Sequence, residues 1–591
     1  MVLFDEAKVY YKFSTVVMER HKRIKIFNDK GKDEAKVRIE YYGKNHNEQI
    51  SEIEAQTINL NNNAVEYAPV DKTLIYTQDV DKDKKAVIFT FSNVKPGSVV
   101  EFKYKWSTPY AGNFPNWFFQ ADIPTRYSEF QSDFSKDYTF KFIKTLHQKL
   151  TRDTAFFKNG KNYNQGRIYI WALSNVHSMR DEPYMTSTGE NIQSILFQVS
   201  SPYRSNSWSS IIYDMLKYDE FGKQLDTSIY LNNEEKILAK VNSFQNTDEK
   251  IAYVFNLVKS TVKYNDFTGA FTDDGIRKAW NKKVGNAAEL NLIIFHFLKK
   301  SGVNVYAMAV NTYSKIETRY ASIYQFNKTV DYIQVDSTRE YILDAANKYN
   351  AYNAVPFYLL NSNGLLIDAA KKFSNFITLK NNLPIKKVVF VNAEIMPGGK
   401  MSGSAQLNNF GYSKIDAVKK YKDDGEKKFI DYLRDDDNNL KISSLKLENM
   451  EVDSLPLTQN IEFNLDLTGS DDNYVFFSPN LFTGLNINPF LSEERLSDID
   501  FKYLNNYTIS GRYKIPAGYK IEALPKNINL VMPDKSITLK RVVGSDGGFI
   551  LVHYVIAFKR SVYSKDEYPE LRAFYKQLHE LLNEQIVLKK T

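Results

Sequence analysis

The chain has 591 residues, 43% of them hydrophobic and 25% charged, which is ordinary for globular proteins and too long for a single domain. Its net charge of +8 comes from 78 basic and 70 acidic residues scattered along the chain. Because no long basic block is present, we expect no nucleic-acid partner. Cysteine is absent, which excludes disulfides, a thiol nucleophile and cysteine-based zinc sites.

The sequence contains no apolar run near the roughly 20 residues of a membrane span, so we expect no transmembrane segment. The opening residues MVLFDEAKVYYKF lack the basic start and apolar stretch of a signal peptide. We therefore expect a periplasmic or outer-membrane-associated protein if a signal peptide was removed before Met1, and a cytoplasmic protein otherwise.

The first third of the chain mostly alternates apolar and polar residues. In SVVEFKYKWS the side chains of Val100, Phe102, Tyr104 and Trp106 are expected on one face of a strand, with charged residues on the other. Turn signals such as NDKGKD and VKPGS separate such runs. This pattern predicts an antiparallel, β-sandwich-like domain over residues 1–215.

The period changes to that of helices from about Trp208. The segment TDEKIAYVFNLVKSTVKY predicts an amphipathic helix with Thr247 as its N-cap. A second helix follows, and then strands at VNVYAMAV, VDYIQVD and REYILDA. We interpret residues 216–383 as an α+β domain.

Alternation returns in residues 384–591, as in NIEFNLDLTG, YTISGRYKI and GFILVHYVIAF. A short helix is expected near DGEKKFIDYLRDD, and YPELRAFYKQLHELL predicts a helix near the end. The fold class is therefore α+β and multidomain, with two β-rich domains flanking the central one.

The segment KKVGNAAELNLIIFHFLKKSG contains the most strongly specified helix. Asn286 and Glu289 form an N-x-x-E capping box, and Gly302 supplies the C-terminal stop. The apolar positions recur at helical spacing, so we expect this face to be buried. They are Leu290, Ile293, Ile294, Phe297 and Leu298.

The same segment resembles the core of the bacterial exported transglutaminase-like proteins. The family pattern Gly-Asp/Asn-Cys-x-Asp/Glu is matched at Gly285, Asn286 and Glu289, with Ala287 in the place of the cysteine. The resemblance implies a transglutaminase/papain-like core, in which a helix presents the nucleophile to a histidine and an aspartate on neighbouring strands.

The other two triad positions follow on the predicted strands. The family pattern Phe-Asn-His reads Phe326-Asn327-Lys328, and Leu-Asp-Ala-Thr reads Leu343-Asp344-Ala345-Ala346. The resemblance therefore implies a degenerate triad at Ala287, Lys328 and Asp344, and no catalysis through it. We expect Asp344 to be a hydrogen-bonded residue or a salt-bridge partner of Lys328. Asn286, Glu289 and Asn327 remain as candidates for a binding cleft.

The flanks resemble the same group of proteins. FSNVKPGSVVEFKYKWSTPY is similar to the β-rich domain of unknown function that precedes its core, and LNINPFLSEERLSDIDFKYLNNYTISGRYKIPAGYKIEALPKN to its C-terminal domain. The resemblance therefore implies two β-sandwich-like domains around the core.

Other catalytic or metal sites are weakly supported. Ser301 lies at the wrong end of the helix, no G-x-S-x-G motif occurs, and Thr329 should face away from Lys328. The acidic stretches with Asp79, Asp81 and Asp83 and with residues 435–437 are expected to be polar turns rather than calcium sites. No histidine shows metal-binding spacing, so we expect no metal and no cofactor. The seven are His21, His46, His147, His177, His296, His553 and His579.

Three hypotheses for function remain. The first is a non-catalytic pseudo-transglutaminase that binds or scaffolds an unidentified protein or peptide of the bacterial cell envelope. The second is a transglutaminase-like peptidase or amidase with an unrecognised nucleophile. The third is a carbohydrate-binding protein with a glycan partner, which would expose aromatic rings such as Trp106, Trp117 or Trp171.

Overall fold

The computed structural model describes residues 1–44, 47–80, 84–157, 166–200, 207–319, 321–370, 373–381, 383–435 and 437–591. His46, Asp81, Asp83 and Asp436 lie outside these residues. The described chain forms two compact units. The first comprises Met1–Asp181, Ser187–Ile211 and Glu317–Ser322, and the second comprises Glu182–Thr186, Ile212–Ile316 and Ile323–Thr591. The three predicted domain boundaries stay predictions.

The first unit consists mainly of strands in three sheets. Its strands are β1 (Val2–Lys12), β2 (Thr15–Lys25), β3 (Lys36–Tyr41), β4 (Gln49–Asn61), β5 (Ala64–Pro69), β6 (Tyr76–Asp79), β7 (Lys85–Thr90), β8 (Val99–Thr108), β9 (Trp117–Phe118), β10 (Thr125–Phe134), β11 (Thr139–Thr145), β12 (Arg152–Phe157), β13 (Arg167–Val176) and β14 (Ser194–Ser200). The largest sheet has the order β12-β13-β10-β1-β2-β8-β4-β5, and the smaller sheets are β11-β14-β9 and β3-β7-β6. Within the largest sheet β1 and β10 run parallel.

The core of the first unit is an aromatic layer on one face of the large sheet. The alternation predicted for β8 is confirmed, because Val100, Phe102, Tyr104 and Trp106 are all buried and belong to this core. Glu101 is also buried, although it alternates with them. Its carboxylate accepts hydrogen bonds from neighbouring strands, which is how a charged group tolerates burial.

Helices are concentrated in the second unit. The helices of the chain are α1 (Thr188–Asn191), α2 (Trp208–Met215), α3 (Glu234–Ser243), α4 (Thr247–Thr261), α5 (Ile276–Lys282), α6 (Ala287–Lys300), α7 (Gly411–Leu433) and α8 (Tyr568–Leu582). The prediction that Thr247 caps α4 is wrong by one residue. The side chain of Asn246 accepts the N–H of Asp248, so Asn246 is the N-cap.

A five-stranded sheet follows α6 and packs against it. Its region contains β15 (Lys263–Tyr264), β16 (Val284–Gly285), β17 (Val305–Val310), β18 (Lys328–Gln334), β19 (Glu340–Leu343), β20 (Ser362–Asp368) and β21 (Phe373–Leu379). The sheet order is β19-β18-β17-β20-β21. The three predicted strands are confirmed as β17, β18 and β19, whereas β20 and β21 were not predicted.

The rest of the second unit is again rich in strands. They are β22 (Ile385–Met396), β23 (Lys400–Asn409), β24 (Leu440–Glu448), β25 (Leu457–Asp466), β26 (Tyr474–Phe477), β27 (Ile499–Asp500), β28 (Asn505–Lys514), β29 (Tyr519–Ala523), β30 (Ile528–Val531), β31 (Ile537–Asp546), β32 (Phe549–Phe558), β33 (Val562–Tyr563) and β34 (Ile586–Lys590). The main sheet has the order β24-β25-β23-β22-β28-β32-β31-β30.

Two helices accompany this sheet. The short helix expected near DGEKKFIDYLRDD is instead the last part of α7, which begins at Gly411 and has a non-helical residue at Gly425. Helix α8 is confirmed with the predicted bounds, and its apolar side chains are buried in the core of the main sheet. The β-rich, multi-sheet architecture agrees with the predicted fold class. Within the described residues, every helix is too short or too polar to cross a membrane.

Helix α6 confirms its sequence signals. Asn286 and Glu289 form the capping box, and every residue from Ala287 to Leu298 is buried. Gly302 follows the helix with φ of +81°, a conformation that favours glycine at the C-terminal end of a helix. The ring of Phe297 is fully buried and lies 5.3 Å from that of Trp280, measured between ring centroids.

These contacts predict an order of stabilities. Phe297→Ala should lower the free energy of unfolding by about 3–5 kcal/mol, since it leaves a cavity beside Trp280. Asn286→Ala should cost about 1–2 kcal/mol through the lost cap. Hydrogen exchange of the α6 amides in the two variants measures both costs within this unit. A cap variant that is less stable than the cavity variant would contradict this account of α6.

Candidate functional site at the start of helix α6

The structure brings the predicted triad positions to one end of the α6–sheet layer. Ala287 is the first residue of α6 and is fully buried, Lys328 is the first residue of β18, and Asp344 follows β19, the neighbour of β18. Asn291 connects the helix to this end of the sheet. Its side-chain amide donates to Asp344 Oδ1 at 3.0 Å and to the carbonyl oxygen of Thr329 at 2.8 Å. Ala287 precedes Asn291 by four residues, so the two lie on the same helical face.

Lys328 and Asp344 form the predicted salt bridge. The distance from Lys328 Nζ to Asp344 Oδ2 is 2.5 Å, and their side chains are 7% and 0% exposed. The hydroxyl of Tyr358 accepts a hydrogen bond from Lys328 Nζ at 3.0 Å and donates one to Asp344. Burial and the charge of Asp344 raise the pKa of Tyr358 well above its usual range. The phenol is therefore a neutral donor at physiological pH.

Further donors complete the surroundings of Asp344. The Asn350 side-chain amide donates to its Oδ2 at 3.3 Å and to its backbone oxygen at 2.9 Å. The backbone N–H of Ala346 donates to Oδ1 at 3.1 Å. Together with Lys328 and Asn291, these donors satisfy the lone pairs of a carboxylate that water does not reach. Such complete pairing is the condition for keeping a charged group buried.

The polar side-chain groups of Asn286 and Glu289 form hydrogen bonds with other residues of this chain. Glu289 Oε1 accepts the backbone N–H groups of three consecutive residues, Asp273, Asp274 and Gly275, at 2.6–3.0 Å. Its Oε2 accepts the N–H of Asn286, whose own amide donates to the carbonyl oxygen of Phe271 at 2.9 Å. These contacts fix the loop before α5 against the start of α6. Ligand binding by Asn286 or Glu289 stays a prediction.

Asn327 occupies a comparable position at the start of β18. Its side-chain oxygen accepts the N–H of Thr312 at 3.0 Å, and its amide donates to the Thr312 hydroxyl at 2.8 Å. These two bonds join the loop after β17 to β18. Asn327 is half-buried, and its role in a binding cleft also stays a prediction.

Sequence reasoning missed Asp331, an acidic residue in the middle of β18. It is fully buried, and neither carboxyl oxygen has a hydrogen-bond partner among the described residues. Burial, followed by the nearby charge of Asp344, raises the pKa of Asp331 well above its usual value. The signal was present in VDYIQV, where a lone acid interrupts an apolar strand and lies on the face opposite to Lys328.

Other possible nucleophiles lack supporting groups. Ser301 lies at the far end of α6, where its hydroxyl donates to the carbonyl oxygen of Leu298. Ser510 and His553 face each other on β28 and β32, with 3.0 Å between the Ser510 hydroxyl oxygen and His553 Nδ1. Within the described chain, Ser510 is the hydrogen-bonding partner of the His553 ring. A carboxylate that would orient this histidine is therefore missing from the described residues.

The described acidic residues of the two stretches that were expected to be polar turns bond to other residues of the protein. Asp79 forms an ion pair with Lys85, and Asp435 accepts a hydrogen bond from Asn486. Asp437 accepts the N–H of Asn439. Groups of three or more possible metal ligands do not occur among the described residues.

The tryptophans named for the glycan hypothesis lie in the core. Trp106, Trp117 and Trp171 are 9%, 2% and 0% exposed, so none offers a ring on which a sugar could stack. A carbohydrate-binding function would therefore need other side chains than these three.

Two parts of the chain match families described as domains of unknown function with a solved structure. Residues 14–180 match DUF3857 and residues 472–588 match DUF3858. The matches lie before and after the α6 core, which fits the predicted layout of two β-rich domains around it. A search of curated proteins finds no match.

The chain is also similar to a solved structure over its whole length. That structure is described as a "putative protease" from Parabacteroides distasonis ATCC 8503, and it shares 11% sequence identity with this chain at a TM-score of 0.60. The similarity covers 100% of this chain and 99% of the other. At this identity the comparison shows a common fold and nothing about activity.

The buried salt bridge predicts a large cost for removing its cation. Lys328→Met should destabilise the α6–β18 region by about 3–5 kcal/mol, because Asp344 would remain buried without its counter-charge. Lys348→Met is the matched control, since Lys348 pairs with Asp423 at 3.2 Å but is 71% exposed. Its cost should be about 0–1 kcal/mol. Hydrogen exchange of β18 measures both, and equal costs would contradict a stabilising role of the buried pair.

The unpartnered Asp331 predicts a specific dependence on pH. Because its folded-state pKa is raised, the folded protein retains a proton that the unfolded chain loses near pH 3.8, so this residue makes folding less favourable as pH rises above that value. Asp331→Asn should remove this contribution. The stability difference between variant and wild type should therefore grow from pH 4 towards neutral pH, by at most about 1.4 kcal/mol per unit. A difference that stays constant with pH would show that Asp331 is not protonated in the fold.

Proposed function

We propose that this protein is a non-catalytic binding or scaffold protein whose core is a degenerate transglutaminase-like domain. The observation that carries the proposal is the buried Lys328–Asp344 salt bridge beside a helix that begins with alanine. A cysteine-dependent enzyme needs a thiol at the helix start and an imidazole that exchanges protons. The chain has no cysteine anywhere, and the residue in the imidazole position is an amine held by Asp344 and Tyr358.

The chemistry of Lys328 supports a structural role for it. A general base must reach the proton it removes and must accept it in the reaction. The Lys328 amine instead donates to the Asp344 carboxylate and to the Tyr358 hydroxyl, and its side chain is 7% exposed. Ala287, at the position where the resemblance implies the nucleophile, has no side-chain proton to remove. The Lys328–Asp344 pair therefore connects β18 to the end of β19 and does not transfer protons.

The partner proposed for this protein is a protein or peptide of the bacterial cell envelope. The resemblance to exported transglutaminase-like proteins supports a periplasmic or outer-membrane-associated location. A fold that once positioned an extended chain keeps shape and backbone contacts after losing its nucleophile, so binding is the function that such a core retains.

A peptidase with an unrecognised nucleophile is the second candidate. It is favoured by the fold shared with the "putative protease", which extends over the whole chain. The Ser510–His553 contact brings a hydroxyl and an imidazole within hydrogen-bonding distance, as a nucleophile and its base would be. This candidate predicts measurable peptidase activity in the unmodified protein, whereas the non-catalytic candidate predicts none.

Restoring the thiol tests both candidates. The unmodified chain should show only background peptide hydrolysis and background incorporation of a primary amine. Ala287→Cys should introduce a thiol whose alkylation midpoint lies below the value of about 8.5 for free cysteine, because a helix N-terminus favours the thiolate. The double variant Ala287→Cys with Lys328→His then supplies both lost groups for an activity assay.

Ala288→Cys is the matched control. Ala288 is equally buried and adjacent, but it points about 100° away around the helix. Its thiol should have a midpoint at or above that of free cysteine, since burial disfavours the thiolate. A midpoint at position 287 no lower than at 288 would show that the helix start is ordinary core. Activity in the unmodified protein that Ser510→Ala abolishes would overturn the non-catalytic proposal and support the peptidase.

A further inference from the structure

The largest sheet of the first unit has a depression on the face that points away from its aromatic core. The depression has a volume of about 460 Å³ and crosses strands β10, β1, β2, β8 and β4. This volume is within the range of small-ligand sites. Its lining differs from such sites, because charged side chains dominate it and apolar ones are few.

The strand registers arrange these charges in a row across the sheet. Glu6 on β1 lies opposite Glu129 on β10 and opposite His21 on β2. His21 in turn lies opposite Lys103 on β8, and Lys103 lies opposite Glu54 on β4. Neighbouring strands are about 4.8 Å apart, so Glu6 and Lys103 are separated by roughly 10 Å. The row therefore has Glu129 and Glu6 at one end, which we call the acidic end, Lys103 about 10 Å from Glu6, and a single further acid, Glu54, beyond Lys103.

Three members of this row form no hydrogen bond or ion pair within the described residues, although Lys103 and Glu54, of opposite charge, face each other on adjacent strands. These members are Glu6, Lys103 and Glu54, and all three are exposed. Other lining residues have partners, among them Glu129 of the row itself. Lys105 pairs with Glu52 at 2.7 Å, and Glu129 accepts hydrogen bonds from Tyr127 and Arg152. Within the row, Glu6, Lys103 and Glu54 are thus the members without such partners among the described residues, whereas Glu129 and His21 are paired.

The acidic end of the row contains a like-charge pair. Glu6 and Glu129 are directly opposite each other on adjacent strands, an arrangement that destabilises a sheet unless a cation lies between them. Burial and the charge of Glu129 both raise the pKa of Glu6. Arg152 already pairs with Glu129 at 3.1 Å, whereas Glu6 has no such partner among the described residues, so a bound cation would relieve the repulsion that remains at Glu6.

The chemistry of the lining distinguishes between possible occupants. Tyr104 is the aromatic residue of the lining, and it is buried, with 6% of its surface exposed, so a sugar would find no aromatic face to stack on. A simple anion would meet the acidic end, and a simple cation would meet Lys103. An occupant with charges of both signs complements the row.

We propose that this depression binds an extended peptide segment that carries a basic side chain and, about three residues along, an acidic one. The basic side chain lies between Glu6 and Glu129, and the carboxylate reaches Lys103. Three residues of extended chain span roughly 10 Å, which matches the separation of the two sites. This proposal concerns the first unit and does not depend on the proposed role of the α6 core.

Fluorescence anisotropy with a synthetic peptide tests the proposal on the full chain. The probe is a labelled acetyl-Gly-Ser-Lys-Ser-Ser-Glu-Ser-Gly-amide, compared with versions that carry two lysines or two glutamates at the charged positions. The mixed-charge peptide should bind best, and its affinity should fall as salt is raised. Glu6→Gln and Lys103→Gln should each weaken binding about tenfold.

Two control variants each remove one charge from the first unit, as the test variants do, but at positions outside the row. Glu66→Gln and Lys72→Gln alter exposed residues outside the depression and should leave the peptide affinity unchanged. Lys103→Glu should in addition shift the preference from the mixed-charge peptide to the peptide with two lysines, which a folding defect could not produce. The proposal is overturned if the mixed-charge peptide does not bind saturably, if Glu66→Gln weakens binding as much as Glu6→Gln does, or if a neutral tetrasaccharide competes for the site.

Discussion

The α6 region depends on one electrostatic contact, between the Lys328 amine and the Asp344 carboxylate, in a place that water does not reach. Two charges removed from water are costly, and their attraction compensates only when the remaining hydrogen-bonding positions are also filled. Here Tyr358, Asn350 and Asn291 fill them. Because Asn291 belongs to α6, the same contact connects the helix to the sheet. The polar cluster therefore determines how the start of α6 meets β18 and β19.

The signals that were local in sequence were predicted correctly. The capping box of Asn286 and Glu289 spans four residues, and the apolar face repeats within the 14 residues of α6, so both could be recognised without knowledge of the fold. Small errors arose where neighbouring residues compete for one role. Asn246 and Thr247 can both cap a helix, and the side chain of Asn246 makes the bond.

Features that depend on strand register could not be predicted. The row of charges formed by Glu6, Lys103 and Glu54 joins residues from three separated strands, and only the pairing of β1, β2, β8 and β4 places them side by side. The three additional bonds of Glu289 depend in the same way on a loop that folds back to α6. Lys328 and Asp344 were identified through the resemblance to a known family. A family pattern includes residues that are far apart in sequence and close in the fold, which periodicity alone does not reveal.

The contact with Lys328 explains why the neighbouring carboxyl groups of Asp344 and Asp331 have different surroundings. Asp344 has a lysine and several amide donors, whereas Asp331 has no hydrogen-bond partner among the described residues and a raised pKa. One buried cation compensates one buried carboxylate, and a second ionised group beside it would be repelled by the first and stabilised by nothing. Burial and the nearby charge of Asp344 therefore raise the pKa of Asp331, which lies on the opposite face of β18 from Lys328. The electrostatics of the core are asymmetric because Lys328 contacts one acid and not the other.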